Sequence, residues 1–435
     1  MNKIKELEKR FKEIYYIEGS VTYIRALIAI SASAYTAGDP IWLMLIGGSG
    51  SGKSEAINIL GDIKYCHQIS MLTPNTLLSG AKKTKDGKDP SLLTRLGRNG
   101  VILMKDFTTI ISMRDDNRRD ILAQIREVYD GELTKETGTG LSLSWRGKLN
   151  FIAGSTSSYY EKQKEIDSMG PRFIMYELDE LSNKGRKEFL HFARKNMNDI
   201  KSKRLELQDM AREAVEEILE KLPDELPMIN DRIDKNLVDL AEFVSRARTP
   251  VSRDFHGNIT VVHFKELPAR IYSQVYRLGQ MFMAIAHMNG REEMDKEEEQ
   301  LLYKFLLNSI PKQKRDVLYT LFKYKEATTK SVAHLLNIQT ESVKLWLSDL
   351  NAHGITERIS ASGKDFWYVA PNDASLISRM LDIPMVDTVL DVSGDDGGGY
   401  NRHQNKIDYS PDDYPEINNE TNDAQEEWKG VGLGN

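Results

Sequence analysis

Residues Gly47-Gly48-Ser49-Gly50-Ser51-Gly52-Lys53-Ser54 fit the spacing GxxxxGK[ST], and that spacing is suited to holding phosphate. Glycines let successive backbone N–H groups turn inward around phosphate oxygens, and the start of the following helix adds partial positive charge. Lys53 is then the cation for the β and γ phosphates of ATP, and Ser54 offers a hydroxyl to Mg2+. The flanks agree, since the apolar run Ile41-Trp42-Leu43-Met44-Leu45-Ile46 precedes the loop and a helical pattern with Ala56, Ile57, Ile59 and Leu60 follows it. Such a loop needs a carboxylate to manage the metal and the attacking water. Val101-Ile102-Leu103-Met104-Lys105-Asp106-Phe107 reads as a buried strand ending in one, which nominates Asp106 for both roles. The competing reading of Asp106 is a strand-end aspartate that caps a turn.

The elements that position these groups follow from hydrophobic spacing. Ile4, Leu7, Phe11 and Ile14 recur at helical intervals, and an apolar stretch from Val21 to Ala34 follows, giving a helical lead-in over 1–36. Over 37–182, strand-like runs at 41–46, 67–72, 101–104, 149–153 and 173–178 alternate with helical segments. This predicts an α/β core, a parallel sheet with helices on both faces. From 183 to 310 the pattern is almost wholly helical and reads as a lid region. Residues 311–371 read as three helices and a hairpin, a winged helix, with Thr329 and Thr340 as helix caps and Gly354 as a helix stop. The winged helix carries Lys344 on its third helix and Lys364 at the wing, both candidates for contacting DNA.

Composition bounds the function. The chain of 435 residues carries a formal charge of −6, yet 386–435 is rich in Gly, Asn, Asp and Glu and reads as a disordered acidic tail. Without that tail the body is near neutral, which permits local basic surfaces such as Lys82-Lys83-Thr84-Lys85-Asp86-Gly87-Lys88. Cys66 is the sole cysteine, so neither a disulfide framework nor a zinc cluster is available, and it reads as a buried, inert thiol. No run approaches the ~20 apolar residues that cross a bilayer, and the start lacks a secretory signal. A cytoplasmic protein with no membrane partner is the expectation.

The segment Asn99-Gly100-Val101-Ile102-Leu103-Met104-Lys105-Asp106-Phe107 resembles the Walker B strand of AAA+ ATPases, particularly the minichromosome maintenance (MCM) replicative helicases. The similarity continues through Arg119-Asp120-Ile121-Leu122, Val128-Tyr129-Asp130-Gly131 and the hairpin-like Leu133 to Gly140. It then reaches Asn150-Phe151-Ile152-Ala153-Gly154-Ser155-Thr156, Pro171-Arg172-Phe173 and Leu267-Pro268-Ala269-Arg270, in the family's order. The resemblance implies an AAA+ P-loop core, with Thr156, chosen over Ser155, as the polar sensor 1 residue. Arg172 is the implied arginine finger, and Arg270 senses the γ-phosphate from the lid. It further implies a channel hairpin near 133–148 that grips DNA, where Lys135, Arg146 and Lys148 are the candidate contacts.

This chain also departs from the family. Lys105 stands where the family carries the first carboxylate of its Asp-Glu pair, and the residues ahead of Ile41 leave no room for the DNA-binding portion of cellular MCM proteins. The expectation is a ring-forming, hexameric, ATP-dependent helicase or translocase acting on single-stranded or forked DNA. It would serve replication of a phage or mobile element, together with other replication proteins. Two rivals stand beside it. One is an AAA+ initiator or helicase loader that uses ATP as an assembly switch; the other is a winged-helix regulator with a degenerate ATPase.

Overall fold

The computed structural model describes residues 3–81, 89–137, 140–168, 172–324, 326–361, 364–381 and 389–390. The basic loop 82–88 and all of the acidic tail except 389–390 lie outside the described residues. The chain forms two compact units, one of Met1–Asp234 with Arg270–Phe305 and the other of Lys235–Ala269 with Leu306–Asn435. The region read as a single lid, 183–310, is therefore shared between them.

The first unit opens with α1 (Lys3–Ile14) and α2 (Tyr23–Ser33), followed by β1 (Trp42–Ile46), α3 (Lys53–Asn58) and β2 (Cys66–Ile69). It continues with α4 (Leu92–Leu96), β3 (Asn99–Met104), α5 (Thr108–Ile111), α6 (Asp115–Tyr129) and the hairpin β4 (Glu132–Glu136) and β5 (Ser142–Arg146). Then come β6 (Lys148–Ser155), α7 (Ser158–Ser168), β7 (Ile174–Glu177), α8 (Asn183–Asn196) and α9 (Ile200–Lys221). The chain leaves along α10 (Asp231–Arg248) and later returns with α11 (Ala269–Met288) and α12 (Lys296–Asn308).

Five parallel strands form one sheet in the order β2-β3-β6-β1-β7. Every residue of β1 is buried, as a strand covered on both faces requires. Trp42, Met44 and Ile46 join a cluster with Phe151, Phe173 and side chains of α5 and α6. On the alternate face Tyr176 of β7 meets Tyr23 of α2 with ring centroids 5.1 Å apart. Cys66 is buried, and burial pushes its thiol up to about 12, as the inert reading requires.

The second unit holds α10 beyond Asp234, the hairpin β8 (Val251–Arg253) and β9 (Ile259–Val262), α13 (Lys312–Lys323) and β10 (Glu326–Thr328). It adds α14 (Thr329–Leu336), α15 (Thr340–Ala352), β11 (Thr356–Ala361), β12 (Lys364–Val369), α16 (Pro371–Leu381) and β13 (Val389–Leu390). The three helices and hairpin read from the sequence are present. Their caps sit one residue earlier, because Thr328, not Thr329, accepts the N–H of Ser331, and Gln339 precedes the first turn of α15. Gly354 does end α15, at φ +71°. The ammonium of Lys314 donates to the carbonyls of Ala247 and Thr249 at 3.1 and 3.3 Å, capping the C-terminus of α10. Asp373 of α16 clamps Arg246 at 2.6 and 3.0 Å.

Candidate functional site

Parallel strands bring their C-terminal ends to one edge of the sheet, and the loop 47–54 leaves from there. Ile46 is level with Ser155, and Met104 with Ala153. β6 thus stands between β1 and β3, so Ser155 lies between the phosphate loop and the segment carrying Asp106. Two bonds tie the row together: Gly47 N–H donates to the Ser155 carbonyl at 3.3 Å, and Phe107 N–H to that of Gly154 at 2.7 Å. Gly154 is required there, since a Cβ would stand 2.7 Å from the Lys105 carbonyl oxygen.

Within the loop, Gly50 and Gly52 adopt φ of +82° and +89°, and added Cβ atoms at Gly48 or Gly50 would meet nothing within 4 Å. The cradle is open and its curvature needs glycine. The Lys53 ammonium folds back over it, donating to the carbonyls of Gly47 and Gly48 at 2.7 and 2.6 Å and to Ser51 Oγ at 3.1 Å. Burial lowers the pKa of Lys53, while the charge of Asp106 opposes the shift. That coupling brings the two groups into one electrostatic site. Ser54 and Asp106 are both exposed beside it, fitting a magnesium ion that takes one or two protein oxygens and completes its shell with phosphate and water. Among the described residues no cluster of three His, Cys, Asp or Glu could hold a metal by itself.

The Asp106 carboxylate is also engaged locally. It accepts from the Thr108 N–H at 3.0 Å and from the Thr108 hydroxyl, so the turn-capping alternative is realised at the start of α5. Ser155, passed over in favour of Thr156, has a buried hydroxyl without a hydrogen-bond partner. Thr156 instead pairs with Ser158 Oγ at 2.7 Å at the start of α7. The signal in the sequence was strand parity, which separates these two neighbours.

A cavity of about 460 Å³ adjoins the loop, bounded by Tyr16–Ser20, by Gly48–Ser51 and by the β7–α8 connection with Phe189. Tyr23 also lines it, and its hydroxyl is buried with no hydrogen-bond partner. The segment before α2 is strapped across this region by side chains. Glu18 accepts from Ser182 N and Oγ at 2.6 and 2.5 Å, and Tyr16 donates to Glu188 at 2.8 Å. Tyr15 and Arg204 both donate to Glu55, the residue after Ser54, at 2.5 to 2.9 Å. These straps join residues far apart in the chain and leave no mark in local spacing.

Arg172 and Arg270 stand elsewhere. β7 is in register with β1 at Leu43 and Ile174, so Arg172 belongs to the N-terminal end of the sheet. Six residues at ~3.3 Å each separate that level from the loop, roughly 20 Å. Gln274 fixes the position by donating to the Arg172 carbonyl at 2.9 Å and accepting from Trp42 N–H at 2.8 Å. Arg270 lies one turn earlier on α11, and its charge acts with burial to lower the pKa of Arg172. Arg270 therefore stands beside Arg172 and away from the phosphate loop of its own chain. The Arg172 guanidinium lies 5.5 Å from the Tyr129 ring and pairs with Asp130 at 3.3 Å.

The hairpin lysines are corrected. Lys135 donates to Pro74 O and Asn75 Oδ1, both at 2.8 Å, and to Leu78 O, so it fastens the 74–78 loop. Lys148 donates to the carbonyls of Ser33 and Thr36 at 2.9 and 2.8 Å, past the C-terminus of α2. Only Arg146 of the three projects into solvent, paired with exposed Glu132 at 2.9 Å. Lys344 and Lys364 are exposed in the second unit.

Burial holds the pKa of Lys148 at about 8, with Arg277 adding to the effect. The unfolded chain keeps that proton up to the ordinary lysine value, so this group makes the fold more stable as pH rises from about 8 towards 10.5. Lys148→Met should cost about 1–3 kcal/mol through the stranded carbonyls. In paired thermal melts the deficit should be larger at about pH 9.5 than at about pH 7.

Comparison with protein-family models gave no match, and comparison with curated protein sequences gave none. Among the described residues, no helix is long and apolar enough to cross a membrane.

Proposed function

We propose that this chain is an AAA+ ATPase of the MCM-like kind, a ring-forming helicase or translocase that acts on DNA during replication of a phage or mobile element. The observation that carries the reading is the division of charge between the two ends of one sheet. Lys53, Ser54, Asp106 and Ser155 share the end where ATP and Mg2+ would bind, whereas Arg172 and Arg270 are roughly 20 Å away by strand rise. Two arginines so far from their own loop can serve hydrolysis only on a nucleotide held by another copy. The cavity beside Gly48–Ser51 has the size for a nucleoside, and the orphaned Tyr23 hydroxyl offers it a polar contact. Arg146 on β5, with Lys344 and Lys364 in a winged-helix unit, supplies the candidate DNA contacts.

Within a site, Lys53 would hold the phosphates, Ser54 and Asp106 the metal, and Ser155 would orient a water. Magnesium supplies charge neutralisation between the phosphates. Arg172 of the next copy would stabilise charge gathering on the transferred phosphoryl group. The test is displacement of a labelled strand from forked DNA, with Lys53→Ala as control. ATP-dependent displacement that the variant lacks supports the reading. ATP-dependent assembly on DNA without displacement supports the second reading, an initiator or loader. The engagement of Asp106 by Thr108, and Lys105 before it, favour that second reading.

A further inference from the structure

α8 packs by one side only. Gly185 and Asn196 are its buried residues, Phe189 and Phe192 are partly covered on the same side, and the Asn196 amide donates to the Ile14 carbonyl at 3.0 Å. The opposite side carries Lys184, Lys187, His191 and Arg194 at intervals of three or four residues, with Lys195 alongside; all five are exposed. At ~1.5 Å per residue this stripe runs for roughly 15 Å. Lys184 meets Glu188 at 3.8 Å, whereas Lys187, Arg194 and Lys195 have no acidic partner among the described residues. A helix face with this charge, in a chain of net charge −6, is a local reversal of sign rather than part of a basic surface at large.

We infer that the outer face of α8 is a binding surface for a nucleic-acid backbone. Regularly spaced, flexible cations without aromatic neighbours in the stripe suit phosphates, which carry no base identity. The same helix reaches the cavity beside the phosphate loop, where its inner residue Phe189 lines the wall and its N-cap Ser182 is held by Glu18. Strand binding outside and nucleotide binding inside would therefore be felt by one rigid element. The surface is distinct from Arg146 and from the second unit, and it needs no hydrolysis, so its failure and that of the proposed ATPase are separable.

The experiment is fluorescence anisotropy of labelled single-stranded DNA with the full chain carrying Lys187→Gln, Arg194→Gln and Lys195→Gln. Removing three phosphate contacts should weaken binding by about 100-fold at about 0.1 M salt and flatten the dependence of log affinity on log salt by about 2. The chain with Lys9→Gln and Lys12→Gln on α1 changes net charge without touching α8 and should bind as the native chain does. Unchanged affinity and salt slope in the triple variant, or no DNA binding by the native chain, overturns the inference. So does a triple variant that keeps DNA but loses anionic vesicles or a peptide of residues 391–435, since the face would then serve a membrane or an acidic segment.

Discussion

The Lys53→Ala chain should hydrolyse ATP at least about 100-fold more slowly than the native chain, the usual cost of removing one charged group from a developing phosphoryl transition state. Three loop acceptors hold the ammonium over the cradle, and nothing else in the loop carries positive charge. The substitution should leave the fold intact, because burial already lowers the pKa of Lys53 and its removal relieves that desolvation. Phosphate release at saturating ATP, with circular dichroism to verify folding, is the measurement. Hydrolysis at the native rate would move the chemistry away from this loop.

The second large effect belongs to Arg172, whose replacement by alanine should lower turnover by about 1,000-fold or more in the assembled protein. The Arg172 side chain is largely buried beside Tyr129 and Asp130, so a simple loss of packing could mimic such an effect. Asp130→Asn separates the two possibilities, since it breaks the ion pair and leaves the guanidinium in place. Asp130 is largely exposed, and this variant should keep most of the activity. A comparable loss in both variants would assign Arg172 to local structure.

Strong local patterns were legible in the sequence. The five strand-like runs became the five strands of the sheet, most plainly β1, which is buried throughout, and Ile4 to Ile14 became α1 from spacing alone. The hairpin β8–β9 was missed inside a region read as helical. Its turn is made by Asp254, which accepts from the N–H groups of His256 and Asn258 at 2.9 and 2.8 Å, and so short a feature leaves little periodicity. The open glycine cradle and the inward lysine of the loop were legible from local spacing. The internal bonds of Lys135 and Lys148 were not legible, since they depend on which distant carbonyl stands nearby. Charge alone does not distinguish a lysine facing solvent from one capping a helix 112 residues away.

The most direct measurement mixes two inactive chains. Lys53→Ala removes the loop cation and leaves Arg172 intact; Arg172→Ala does the reverse. Combined at concentrations where the native chain assembles, they should recover part of the ATPase activity that each lacks alone, because some neighbouring pairs regain an intact loop facing an intact arginine. No recovery in mixtures shown to co-assemble would contradict a nucleotide site shared between copies of this chain.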